Sequence, residues 1–333
     1  MSQGRKAIST YLLLGSLLLG TWFLAVRFGA VALSGREFLG ALCRAGSDPN
    51  RVIVMDLRVP RALMASLVGG GLAMSGASFQ ALLRNPLAEP YILGISGGAA
   101  SGAVLVLAAG WMSVTSFALP IAAFGGAAVA IALVFGVALS SDRRMDVRVL
   151  LLAGVVVGAF FAACIALILS LAEAPTIRSA VLWMMGSLSG STWWTVTVVA
   201  AYTVPVACLL VALARPLNLM SVGDETAGYL GADVEKVKRL AYGASSVIAA
   251  AGVAFVGVIG FVGLVVPHTV RLMTGPDHRS LLPLSFITGA AFLTLADLVA
   301  RTVIAPAEIP VGVVTAFVGV PFFLALLRRS LRS

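Results

Sequence analysis

The stretch that decides the fold runs from Arg61 to Leu82 and reads RALMASLVGGGLAMSGASFQAL. After its first residue it carries no charged side chain, and it reaches the roughly 20 apolar residues that a membrane-spanning helix needs. Because lipid offers no hydrogen-bond partner to an open backbone, such a segment crosses a bilayer as a helix. Its small residues let neighbouring helices approach closely, and they are Gly69, Gly70, Gly71, Ala73 and Gly76. The segment is predicted to be a membrane helix packed among others.

The rest of the chain repeats this pattern. Of the 333 residues, 60% are hydrophobic and 11% charged, and the mean hydropathy is +1.03, well above an ordinary soluble domain. Breaking the apolar runs at charges, prolines and glycine clusters gives about ten spans, so residues 1–333 are predicted to form one all-α, polytopic membrane domain. Ile8 to Val26 is interpreted as the first span and not as a signal peptide. The predicted spans cover residues 8–28, 61–82, 92–110, 116–139, 147–171, 192–214, 239–256, 258–273, 280–302 and 308–328.

One further glycine pattern concerns the third span. Gly94, Gly98 and Gly102 recur every four residues, which predicts that they share one helix face used for close packing.

The net charge is +9, which in a soluble protein would indicate a nucleic-acid partner. Here the basic residues lie mostly in short segments between apolar runs, where Lys and Arg set topology and meet anionic lipid headgroups. Nucleic acid is therefore excluded as a partner, and membrane lipid is expected.

The same residues predict an orientation with both termini in the cytoplasm. An excess of arginines in the first external loop and its borders opposes this rule. Either the orientation is reversed or those arginines bind something acidic outside. The external set is Arg27, Arg36, Arg44, Arg51, Arg58 and Arg61; the cytoplasmic set is Arg5, Lys6, Arg84, Arg143, Arg144, Arg148, Arg215, Lys236, Lys238, Arg239, Arg271, Arg279, Arg328, Arg329 and Arg332.

Ionisable groups inside the predicted spans are scarce. Asp297 and Arg301 lie four residues apart, so they are expected to pair on one helix face. Ion-coupled transport normally needs a buried carboxylate, and a P-loop needs a lysine after a glycine, which none of the three lysines satisfies. The two histidines and three cysteines show no metal-ligand or nucleophile spacing. The chain is expected to bind no cofactor or metal and to catalyse nothing, so transport energy would come from a separate subunit.

The longest polar interruption spans about residues 215–239. Its apolar positions permit one or two short amphipathic helices between Leu217 and Gly231. The segment is either an ordinary solvated loop or a docking element for a cytoplasmic partner.

Several ordered strings resemble one family over nearly the whole chain. They include Leu57 to Arg61 (LRVPR), Gln80 to Pro90 (QALLRNPLAEP), Leu93 to Gly98 (LGISGG), Leu151 to Gly154 (LLAG), Trp183 to Leu188 (WMMGSL), Leu217 to Gly231, Gly260 to His268 (GFVGLVVPH), Asp277 to Arg279 (DHR), Ala296 to Arg301 and Glu308 to Thr315 (EIPVGVVT). The chain resembles the membrane permeases of ABC importers for cobalamin, ferric siderophores and haem, the FecCD type.

This resemblance implies a type II ABC importer permease fold of ten helices in the bacterial inner membrane. It implies a homodimer around a central cavity, with two cytoplasmic ATPase subunits that hold ATP and Mg. A periplasmic or lipid-anchored substrate-binding protein would sit above.

Residue roles follow from the same resemblance. Arg58, Arg61 and Arg301 would receive glutamates of the binding protein; exposed pairs of this kind contribute about 0.2 to 1 kcal/mol each, so the cluster would steer docking more than anchor it. Asn85 and Leu87 are gate candidates, while Val147 and Arg148 depart from the hydroxyl residues of some relatives at the gate. The ATPase-coupling residues would be Leu219, Gly223, Asp224, Glu225, Ala227, Leu230 and Gly231.

The function predicted on this basis is import of a bulky metal chelate by alternating access. A secondary transporter or exporter of a bulky solute is the main alternative, and a membrane-bound enzyme is the third. No residue identifies the chelate, and Trp183 to Gly186 (WMMG) only leans toward cobalamin.

Overall fold

A computed structural model describes residues 3–43, 48–111, 117–139 and 145–330. All regular secondary structure in these ranges is helical. Arg44, Arg143, Arg144 and Arg332, used above for the orientation, lie outside them, and the side chains of Arg5, Lys6 and Arg329 are likewise not described. The helices are α1 Gln3–Arg27, α2 Gly35–Cys43, α3 Pro49–Leu82, α4 Ile95–Ala108, α5 Ala118–Leu139, α6 Val147–Ser170, α7 Ala174–Met184, α8 Trp193–Ala212, α9 Ala214–Val222, α10 Asp224–Tyr229, α11 Val234–Val256, α12 Val262–Thr274, α13 His278–Thr302 and α14 Val311–Ser330.

The prediction of about ten spans is confirmed, because each predicted span coincides with one of these helices. Seven described helices are long and apolar enough to cross a membrane, namely α1, α3, α5, α6, α8, α11 and α13. The remaining three are α4 and α12, with 14 and 13 residues, and α14, whose apolar part is Val311–Ala325.

Several predicted boundaries are wrong, and local chemistry explains each. Helix α3, which is the second predicted span, begins at Pro49 and not at Arg61, because the Asp48 side chain caps it by accepting from Asn50 N. It is π-helical from Val52 to Arg58. Likewise α11 starts at Val234, where Asp233 accepts from Lys236 N.

The eighth span is shorter than predicted. Residues 257–261 are not helical, since Gly257 and Phe261 both have positive φ, +74° and +69°. Helix α12 therefore starts only at Val262, and an irregular segment separates it from α11.

Helix α3 is the axis of the bundle. In its apolar window 89% of residues are buried, against 22–28% in α5, α6 and α8, so the latter helices form the apolar perimeter. Close approach to α3 depends on glycine: a Cβ at Gly69 would clash with the backbone of Gly289, and one at Gly76 with the backbone of Gly263. The glycine-rich stretch thus brings α12 and α13 against α3 at backbone contact distance.

The predicted glycine face of the third span is only partly confirmed. Gly98 and Gly102 both press on the backbone of α5, at Gly126 and Ala122. Gly94 lies just before α4, where it follows the 3-10 turn Pro90–Leu93 with a φ of +77°. It contacts α6 and not α5.

Candidate functional sites at the two ends of the bundle

Helix α3 links the two regions that the sequence singles out. Arg61 lies in the first half of α3 and Arg84 just beyond its end, which at about 1.5 Å rise per residue separates them by about 35 Å along the axis. The predicted docking arginines and the predicted coupling segment therefore lie at opposite ends of the molecule.

At the first end, Arg61 is held between two carboxylates. Its Nε donates to Asp297 Oδ1 and Oδ2 at 2.9 and 3.0 Å, while Nη1 and Nη2 donate to Glu308 Oε1 and Oε2, each at 2.9 Å. Arg301 Nε lies 3.3 Å from Asp297 Oδ2, which confirms the predicted pairing along one helix face. Two guanidinium groups thus compensate the buried Asp297 carboxylate.

The other contacts of the arginines are with the end of α1. Arg58 donates from Nη1 to Val26 O and Arg27 O, at 3.1 and 2.8 Å, and from Nη2 to Val31 O at 2.5 Å. Arg301 Nη2 donates to Ala25 O at 2.5 Å. The last carbonyls of a helix lack partners within it and attract positive charge, so both arginines cap α1.

The expectation that these arginines are exposed is wrong. Arg58 and Arg301 are each 4% exposed, because their charges satisfy backbone carbonyls and Asp297. All three arginines nevertheless line one cleft of about 260 Å³, together with Ser189 and Glu308. Glu308 has no role among the predictions from the sequence, although it opens the matched Glu308 to Thr315 string.

At the opposite end, the polar interruption forms two short helices, α9 and α10, joined at Gly223. The prediction of one or two short helices is confirmed, and the docking role of this segment stays a prediction. Leu217, Met220 and Ala227 are buried, whereas three apolar side chains stand free at the surface. Those three are Val222, Tyr229 and Leu230, exposed by 72%, 91% and 62%. Of the other predicted coupling residues, Leu219 and Gly223 are half-buried, and Glu225 and Gly231 are exposed.

Asp224 fastens this segment to the bundle. Its carboxylate pairs with Arg84, just past α3, and with Lys238 Nζ of α11 at 2.7 Å. Arg84 Nε also donates to Met220 O at 3.2 Å, and Lys238 Nζ to Met145 O at 3.0 Å. These contacts join α9 and α10 to the end of α3 and to α11.

A groove of about 670 Å³ runs beside this contact and includes Asp224 and Glu225. Val147 and Arg148 also line it, at the start of α6, where Asp146 accepts from Arg148 N at 2.7 Å. The structure therefore places these two residues next to the coupling segment.

The turn that holds Asn85 and Leu87 follows α3. Asn85 Oδ1 accepts from Leu87 N at 2.9 Å, and Leu87 is 40% exposed. Glu89 Oε1 accepts from Phe261 N at 2.7 Å, and burial raises the pKa of the Glu89 carboxyl. This hydrogen bond joins the turn to the irregular segment between α11 and α12. No local sequence pattern predicts it, because the two residues are 172 positions apart.

The irregular segment borders an apolar cavity of about 510 Å³. Met184 and Met185 of the matched WMMG string line it, with Val258 and Phe261. Its lining contains no ionisable side chain.

Residues 17–329 match the FecCD transport family. The chain belongs to this family. It is 45% identical over 287 residues to the cobalamin import system permease protein BtuC of Halobacterium salinarum, which covers 86% of this chain and 76% of that protein. It is 39% identical over 331 residues to the hemin transport system permease protein HmuU of Yersinia pestis, covering 96% of each chain.

A solved structure supports the FecCD assignment at the level of the whole fold. It is described as an inward-facing conformation of a metal-chelate type ABC transporter, and it matches 96% of this chain and 98% of its own with a TM-score of 0.85 and 31% identity. The chain thus has the predicted ABC importer permease fold and is a multi-pass transport permease. The family resemblance drawn from the sequence strings is confirmed.

Proposed function

We propose that this FecCD-family chain is the permease subunit of an ATP-binding cassette importer for a bulky metal chelate. Two copies would enclose a central pathway in the bacterial inner membrane, with both termini of each chain cytoplasmic. The observation that carries this proposal is the segment α9 and α10, which presents bare apolar side chains and is locked to α3 through Asp224 and Arg84.

An exposed apolar patch on a polar surface is typical of a protein-binding site. Val222, Tyr229 and Leu230 are exposed apolar side chains of this segment, and two ATPase subunits carrying ATP and Mg would cover them, one on each copy. Closure of the ATPases on ATP would push α9 and α10, and the Asp224 contacts would pass the motion to α3 as alternating access.

The pathway itself is proposed to be passive. The cavity beside Met184 and Met185 offers apolar contacts and no charge, which suits a large solute that must not bind tightly. The permeases BtuC and HmuU are named for cobalamin and hemin import, and we propose the same class of cargo here, with ferric siderophores included.

The arginine cleft at the far end is proposed to receive a substrate-binding protein. Its carboxylates would meet Arg58, Arg61 and Arg301, which explains the excess of arginines outside. Because Glu308 already occupies both Nη atoms of Arg61, a docking glutamate would have to replace it.

The test is ATP-dependent uptake of a labelled chelate by proteoliposomes that contain the chain and its cognate ATPase. Leu230→Asp is expected to lower uptake at least about tenfold, because it places a charge in the proposed apolar interface. Leu171→Asp is the matched control, since Leu171 is 82% exposed just after α6, at the opposite end from its start beside the coupling segment. Uptake that persists without the ATPase and follows an ion gradient would instead establish a secondary transporter.

A further inference from the structure

A second polar cavity, of about 240 Å³, lies at the end of the bundle that carries α9 and α10. Its polar lining comes from Gln80, Arg84, Ser221, Arg271 and His278, which belong to or adjoin α3, α9, α12 and α13. None of the residues that line it is acidic. The cavity is therefore electropositive and is distinct from the arginine cleft and from the apolar cavity.

Arg271 supplies the main uncompensated charge. Its Nη2 donates to Gln80 Oε1 at 2.9 Å, a neutral acceptor, and Gln80 in turn donates to Gly263 O at 3.3 Å. Within the described ranges Arg271 makes no ion pair with a carboxylate. A half-buried guanidinium without a counter-ion is unfavourable unless an anion binds it.

His278 supplies a second, independent feature. It is 4% exposed, and its Nδ1 lies 2.7 Å from Asn218 Oδ1, which also accepts from His278 N at 2.8 Å. Asn218 Nδ2 donates to Asp277 Oδ1 at 2.6 Å, so the amide orientation is fixed and Nδ1 must be the donor.

The other ring nitrogen of His278 is Nε2. His278 Nε2 is buried and has no hydrogen-bond partner within the described structure. In a neutral imidazole whose Nδ1 carries the proton, Nε2 accepts a hydrogen bond. His278 lines the cavity together with Arg84 and Arg271, so guanidinium donors lie beside a histidine whose acceptor nitrogen is unused, a set that suits an anion that also bears a hydroxyl.

We propose that this cavity binds a phosphate anion carrying a P–OH group, either free orthophosphate or a phosphate monoester headgroup. Its oxygens accept from Arg271 and Arg84, and its P–OH donates to His278 Nε2. A carboxylate or sulfate satisfies the guanidinium groups and leaves Nε2 without a partner. Because Arg84 also pairs with Asp224, an anion here would compete with the contact that fastens α10.

The test measures thermal unfolding of the full-length chain in nanodiscs of zwitterionic lipid, at constant ionic strength, with orthophosphate, sulfate or acetate as probe. Orthophosphate is expected to stabilise the chain at concentrations about tenfold lower than sulfate or acetate, because only it can donate to the buried acceptor. This comparison needs no variant. Equal effects of the three anions, or no effect of orthophosphate, would overturn the proposal.

Variants locate the site. Arg271→Gln is expected to weaken the orthophosphate effect more than tenfold, and His278→Phe to abolish the preference for orthophosphate over sulfate. Arg279→Gln, at an exposed arginine next to His278, is the matched control and should leave both unchanged. An orthophosphate effect that survives Arg271→Gln would contradict the assignment.

A second set of nanodiscs, with phosphatidic acid in the bilayer, distinguishes free orthophosphate from a phosphate monoester headgroup as the bound anion. If phosphatidic acid in the bilayer blocks the orthophosphate effect, the natural occupant is a monoester headgroup. If it does not, the occupant is free orthophosphate. Acetate as effective as orthophosphate would instead indicate a site for an acidic side chain of a partner protein.

Discussion

Arg61 makes five polar contacts with two carboxylates, and these have different exposure. The Asp297 side chain is 2% exposed and belongs to the interior, whereas that of Glu308 is 33% exposed and faces the cleft. Glu308 therefore occupies the position where the proposed binding protein would place a glutamate.

Removing the charge of Glu308 tests whether Glu308 competes with a glutamate of the binding protein for Arg61. Glu308→Gln is expected to tighten binding of the cognate binding protein by about threefold to tenfold, since the internal ion pair no longer has to be replaced. Surface plasmon resonance against the chain in nanodiscs measures the change. Glu173→Gln, at an exposed carboxylate before α7, is the control, and affinity that is unchanged or weaker would argue against a docking role for Arg61.

Arg58 is expected to act mainly through folding. Arg58→Ala leaves three carbonyls without their donor, two at the end of α1 and that of Val31 beyond it, and should lower the free energy of unfolding by about 2 to 3 kcal/mol. Arg36→Ala, at an exposed arginine of α2, should change it by less than about 0.5 kcal/mol. Unfolding midpoints in detergent compare the two, and equal midpoints would show that Arg58 does not stabilise α1.

The hydrogen bond from Phe261 N to the buried Glu89 carboxyl predicts that the stability of the chain depends on pH. The pKa of Glu89 is raised by burial, so its contribution to stability is complete below its ordinary pKa and is lost as the pH rises through the raised value. Glu37, on α2, behaves in the opposite way: hydrogen bonds from Ser34 lower its pKa, so its contribution is lost as the pH falls.

Glu89→Gln is therefore expected to remove part of the decline in unfolding temperature as the pH rises from about 4, the ordinary pKa of a glutamate, into the alkaline range, because the amide stays neutral and keeps an acceptor oxygen for Phe261 N. Glu37→Gln should leave the alkaline side unchanged and reduce the stability lost on acidification. Unfolding curves of both variants over this range, set against the unchanged chain, give the two slopes. Identical slopes would remove Glu89 as the group responsible.

Local sequence patterns predicted some elements and missed others for physical reasons. The pairing of Asp297 with Arg301 and the short helices between Leu217 and Gly231 depend on neighbours within one or two turns, so spacing and residue type suffice. The bond from Phe261 to Glu89 and the contact of Glu308 with Arg61 join residues far apart in sequence, and no periodicity encodes them. The extension of α3 back to Pro49 was missed because Arg51, Asp56 and Arg58 interrupt the apolar run.

The ion pairs described above lie at the two ends of one buried helix, α3. The apolar content of the sequence predicted the helix bundle but not this arrangement. The order of helices around α3 depends on backbone contacts such as Gly69 with Gly289 and Gly76 with Gly263. Glycine content indicates close helix packing, but it does not indicate which glycines contact one another. The family resemblance predicts the arginine cluster and the segment from Leu217 to Gly231 on opposite sides of the membrane, and the structure places them at opposite ends of α3.

If α3 carries motion between the two ends, then breaking its link to α10 should separate ATP hydrolysis from transport. Asp224→Asn removes the charge that holds both Arg84 and Lys238, so the assembled transporter is expected to hydrolyse ATP at a similar rate while uptake falls about tenfold, a change of about 1.4 kcal/mol in coupling. Asp56→Asn, at an exposed carboxylate of the opposite end, is the control. Both rates are measured in the same proteoliposomes, and an unchanged ratio of chelate imported to ATP hydrolysed would show that motion reaches the pathway by another route.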